Sequence, residues 1–114
     1  MKKTLLVIML ALLSYTARAE MDGNKLYETA LAYERVQDSR GRGADTLQAG
    51  VFMGYVMGVS EYGQVVKTLC YPNNFINSQA FDLVLNYLKS KPEKRTDPSL
   101  LIVINALKSA FACP

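Results

Sequence analysis

CYPNNFINSQAFDLVLNYLKSKPEKRTDPSLLIVINALKSAFAC, residues 70–113, carries both cysteines of the chain, one at each end. Inside it, Phe81, Val84, Leu85 and Leu88 fall at i, i+3, i+4 and i+7, one apolar face of a helix. Asn77 is placed to cap that helix, which the spacing predicts over 78–90, with Pro92 ending it. Asp97-Pro98 reads as N-cap and first turn of a further helix. Leu100, Leu101, Ile104, Leu107 and Phe111 are expected to point inward, and Ile102 and Val103 make this helix apolar nearly all round. A helix apolar on both sides is buried on both sides, which allows a subunit interface. The segment therefore reads as a helical hairpin closed at its open end by one bridge, Cys70–Cys113.

Working outward, the N-terminus decides whether that bridge can form. Lys2 and Lys3 precede an unbroken apolar run from Leu5 to Leu13, and Ala17-Arg18-Ala19 has the small-x-small cleavage pattern of a secretory signal. The run is less than half of the roughly 20 residues a bilayer span needs. Residues 1–19 are expected to be removed, leaving 20–114 as a single exported domain with no membrane anchor. Two cysteines in an exported chain are expected to pair. Zinc takes about four ligands, and a cysteine nucleophile needs an activating base; the chain has two cysteines and no histidine. No metal, cofactor or catalytic residue is indicated. Across a separation of 43 residues, the chain-entropy model gives the crosslink roughly 4 kcal/mol. A domain of this size buries only about 60–65% of its unfolded surface, so such a staple matters.

Cleavage also changes the charge. Lys2, Lys3 and Arg18 are three of the 13 basic residues, and all 10 acidic residues lie beyond them, so the exported chain is neutral. Nucleic-acid binding, which draws on a surplus of lysine and arginine, is excluded as a class.

Between the signal and Cys70, Leu26, Ala30 and Tyr33, flanked by Tyr27 and Leu31, predict a helix over 25–37. Residues 38–43, with two glycines and two arginines, read as a solvated loop. Asp45 and Gln48 have capping-box spacing and predict a second helix from Thr46. On one face of it lie Gly50, Gly54 and Gly58. Each interior glycine costs a helix about 1 kcal/mol relative to alanine. Close approach of another backbone, inside the bundle or across a dimer, is the expected compensation. Gly63 marks a weak point or the end of this helix. The fold class is thus all-α: four helices, one disulfide, and surfaces suited to dimerisation.

Cys70-Tyr71-Pro72, Ile76-Asn77-Ser78-Gln79, Tyr87-Leu88, Lys91-Pro92-Glu93, Ala106-Leu107 and Ala110-Phe111-Ala112-Cys113, with Gly54-Tyr55-Val56-Met57-Gly58-Val59 upstream, resemble the Rap/Tai immunity proteins. The resemblance implies a periplasmic protein of a Gram-negative bacterium, commonly a homodimer. Such a protein blocks the cleft of a peptidoglycan amidase effector delivered by type VI secretion. Many members have a second cysteine pair joining the first two helices, where this chain has Ala30 and Phe52, and a histidine where it has Thr96. These departures point to a different cognate effector.

A cleft-blocking protein needs a rigid protruding loop. Two segments qualify: 91–97, with Glu93, Lys94 and Arg95, and 71–74, with Tyr71, Asn73 and Asn74. The alternative function is a small periplasmic stress chaperone that exposes apolar surface when acid protonates its carboxylates. A peptidoglycan-cleaving enzyme is disfavoured by the missing histidine.

Overall fold

The computed structural model describes residues 1–13 and 21–114. The expected cleavage pattern, Ala17-Arg18-Ala19, lies outside the described residues. Helix α1 (Lys2–Leu13) covers the basic start and the apolar run. No helix among the described residues is long and apolar enough to cross a membrane.

Four helices form the domain: α2 (Gly23–Gln37), α3 (Gly43–Val65), α4 (Asn77–Ser90) and α5 (Ser99–Phe111), with a single 3-10 turn (Pro92–Lys94) before the last. No strand occurs among the described residues. Helices α2 and α3 form one hairpin, α4 and α5 a second, and the two pack face to face.

Local chemistry sets the helix starts. Asp22 caps α2, its carboxylate accepting from the Lys25 N–H at 2.9 Å. Helix α3 starts three residues before the expected Thr46. Asp45 sits inside its first turn, and its carboxylate accepts from the Arg42 N–H at 3.0 Å and from the Arg35 guanidinium at 2.6 Å. Those two donors, the Arg35 side chain foremost, hold the Asp45 carboxyl below the usual carboxylate range. The pair joins α3 to α2, and a Lys89–Glu34 pair joins α4 to α2. Residues 38–42 are exposed, as expected of a solvated loop, and α2 leaves into it through a turn: Ser39 takes φ 58°, and the Arg40 N–H bonds to the Arg35 carbonyl at 2.8 Å.

The core takes Leu26, Ala30 and Tyr33 from α2, Phe52, Val56 and Val59 from α3, and Phe81, Val84, Leu85 and Leu88 from α4. At its centre the rings of Tyr33, Phe52 and Phe81 pack with centroids 5.3, 5.5 and 6.2 Å apart. Ala30 and Phe52, which stand where a second bridge was expected in relatives, are both fully buried there. Apolar packing fills that position.

Helix α5 corrects one expectation. Ile102, Val103, Ala106 and Leu107 face inward, whereas Leu100 and Leu101 are 44% and 52% exposed. The helix begins at Ser99, and its register is set by Ser99 itself. That buried residue donates its N–H to the Met21 carbonyl at 3.1 Å and its hydroxyl to the Asp22 carbonyl at 2.8 Å. This strap rotates the first two leucines outward.

A second correction concerns the glycine face. Among the described residues, nothing beyond the local helix backbone lies within 4 Å of where a Cβ would stand at Gly50, Gly54 or Gly58, and all three are exposed. The close approach inside the bundle does not occur. Helix α3 turns Ala49, Phe52, Val56 and Val59 to the core and leaves the glycines on its opposite side. Within α3, Gly63 is the glycine with a packing reason: a Cβ there would meet the Leu69 side chain at 2.5 Å, where the chain folds back after the helix.

Candidate partner-binding site

The two candidate loops lie at opposite ends of α4, separated by its 14 residues, about 21 Å at 1.5 Å per residue. They cannot form a single contact point.

At the first end, the Cys70–Cys113 disulfide forms as expected, with Cα atoms 4.9 Å apart. Backbone bonds reinforce it: the Cys70 N–H donates to the Phe111 carbonyl at 2.8 Å, and Leu69 pairs with Ala112. The C-terminus is thereby laid beside the start of the loop. Tyr71 stacks on Phe75 at 3.9 Å between centroids, and Phe111 packs edge-on against both, at 4.9 and 5.2 Å. The Tyr71 hydroxyl and the Ser60 hydroxyl of α3 share a hydrogen bond of 2.7 Å. Burial pushes the Tyr71 phenol above its ordinary range, with the Ser60 bond partly opposing the shift. Tyr71 is thus the anchor of this loop. Asn73 and Asn74, exposed at the corner of a turn closed by the Phe75 N–H to the Pro72 carbonyl at 3.0 Å, are its tip.

Pro72 and the Asn77 end of this loop face α3 across a cleft of about 300 Å³. Met57, Ser60, Glu61 and Gln64, spaced at i, i+3, i+4 and i+7, form its α3 wall. The sequence reading assigns no site to residues 57–64 and does not show this cleft. The helical spacing of three polar residues was the available signal, but only the returning loop makes them a wall.

At the other end, Glu93 and Lys94 are exposed on the 3-10 turn, and Lys94 stands 4.0 Å from Asp97. Arg95 turns inward. Its guanidinium lies 3.7 Å over the Tyr27 ring, and its Nε donates to the Leu88 carbonyl at 2.8 Å. It ties the loop to α2 and α4. The segment is further held by the Gly23 N–H donating to the Asp97 carbonyl at 3.0 Å.

A broader open groove of about 790 Å³ runs between α4 and α5, lined by Tyr87 and Lys91 from the α4 side and by Asn105 and Ser109 from α5. Among the described residues, no three His, Cys, Asp or Glu side chains group so as to hold a metal ion.

The chemistry these sites offer is that of recognition: exposed amides and charges on loops fixed by rings, a disulfide and backbone bonds. No curated protein and no solved structure matches the chain significantly. The family model of the Rap1a immunity proteins matches residues 22–113, from the α2 cap to the second cysteine, and the chain belongs to that family.

Proposed function

We propose that this protein is an exported immunity protein of the periplasm that binds and blocks a peptidoglycan amidase effector of type VI secretion. The carrying observation is membership of the Rap1a immunity proteins over nearly the whole folded domain. The basic and apolar N-terminal segment supports export, and the disulfide suits an oxidising compartment. The protein acts by occlusion rather than by chemistry of its own. Asn73, Asn74, Glu93 and Lys94 are the exposed contact residues, and Tyr71 and Arg95 hold their loops in shape.

The active form is a homodimer. Supporting this, three exposed glycines on α3 meet no packing contact among the described residues, and Leu47 and Val51 beside them are exposed as well. A second copy of α3 can approach there as nothing in the monomer does.

The test is to mix the exported protein with the small secreted amidases encoded near its gene. Stable binding, one effector per subunit, with loss of sacculus cleavage is the expected result. Failure to inhibit any amidase, together with dye binding and dimer loss near pH 3, would replace this reading with the acid-activated chaperone.

A further inference from the structure

The cleft beside the disulfide has a lining that selects its occupant. Its walls are the Met57 thioether and the Pro72 and Phe75 rings, and its polar groups are Glu61, Gln64, Asn77 and the Ser60–Tyr71 hydroxyl pair. Among the described residues, no lysine or arginine lines it. Among the described carboxylates, only Glu61, Asp82 and Glu93 have neither an ion pair nor a hydrogen bond. Of these three, Glu61 alone faces either of the two clefts described above.

The space is right for one long side chain. The cleft is small, about 300 Å³ against about 790 Å³ for the groove between α4 and α5, and admits a side chain rather than a folded segment. Access is open, because Glu61, Gln64, Pro72 and Asn77 of its lining are exposed. The cleft is also preformed: its loop wall is held by the Tyr71–Phe75–Phe111 stack and the disulfide, so little ordering cost remains for binding.

We propose that this cleft receives one arginine side chain from the effector. A guanidinium is planar, weakly hydrated and able to lie along apolar walls while donating to a carboxylate and to amide oxygens at once. Glu61 supplies the charge, Gln64 and Asn77 supply amide acceptors, and Met57 and Pro72 accommodate the aliphatic stem. The identity of the occupant's owner rests on the immunity reading; the cleft's preference for a guanidinium does not.

Two measurements decide it. In the first, the exported protein is titrated with N-acetyl-arginine amide at fixed ionic strength and followed by amide NMR. Saturable shifts are expected at Glu61, Gln64, Tyr71 and Asn77. Both uncharged N-acetyl-citrulline amide and the Glu61→Gln variant should bind at least about tenfold more weakly. Shifts that do not saturate by about 100 mM, or that are equal for citrulline, overturn the proposal.

In the second, Glu61→Arg is assayed against the inhibited amidase. It should weaken binding about a hundredfold while leaving the circular dichroism spectrum and the oligomeric state unchanged. Unimpaired binding overturns the proposal. So does conversion of a dimer to monomer, which would assign the cleft to a second copy. If no amidase binds even the unaltered protein, the immunity reading falls, and the arginine titration still decides the chemistry of the cleft.

Discussion

The two ends of the α4–α5 hairpin are closed in different ways. One end is covalent: Cys70 is bonded to Cys113, three rings pack around the joint, and a cleft remains open next to it. The other end is closed by the entering chain, with Met21, Asp22 and Gly23 strapped to Asp97 and Ser99 by backbone bonds. There the connecting segment 91–98 turns the chain, and no crosslink ties the entering residues to it. The difference separates two tasks: the covalent end keeps an exposed loop and its cleft in shape, and the strapped end fixes helix register and joins the two hairpins.

The largest effect expected at either end is loss of the bridge. Cys70→Ser with Cys113→Ser should lower the unfolding free energy by about 4 kcal/mol in urea titrations. Hydrogen exchange should accelerate at the Cys70 and Cys113 amides and not at Gly23 or Ser99. Equal acceleration at both ends would show that the ends are not independent.

Next comes the strap. A Cβ at Gly23 would fall 2.7 Å from the Arg95 carbonyl oxygen and against the Ile102 side chain, so Gly23→Ala should cost about 1–3 kcal/mol. A neutral result would mean that the strap yields easily. Arg95→Ala, which removes the contact with Tyr27 and the bond to Leu88, should cost about 1–2 kcal/mol and leave the disulfide end unchanged by NMR.

At the covalent end, Tyr71→Phe keeps the ring stack and removes the hydroxyl that Ser60 shares. A loss of about 1 kcal/mol is expected, with shifts confined to α3 and the loop. Smallest, and opposite in sign, is Gly54→Ala. With no described residue packed within 4 Å, it should stabilise the subunit by up to about 1 kcal/mol. The same variant should weaken self-association in sedimentation; unchanged association would remove the α3 face from the dimer interface.

Much of this was legible beforehand. Helical spacing identified the four helices of the domain, and Phe81, Val84, Leu85 and Leu88 lie where their spacing put them. The disulfide was legible because a chain with two cysteines has one intramolecular pairing to make, and the N-terminal pattern leads one to expect export. The helix starts shifted by one to three residues because caps depend on which donor finds which acceptor. Asp45 was read as a cap and instead accepts inside the first turn. Tyr71 and Arg95 were read as contact residues from their place in loops. Their rings and charges are taken up by neighbours from α3, the C-terminus and α2, none of them adjacent in sequence.

The sequence by itself determined the class of the fold, its staple and its family, since periodicity, cysteine number and ordered short motifs are properties of the chain alone. Only the tertiary structure decided which face of α5 is buried, that the α3 glycines look outward, and that Glu61 stands in a cleft. These depend on how two hairpins dock and where residue 99 is strapped to residue 22, contacts across 77 positions that no local pattern encodes.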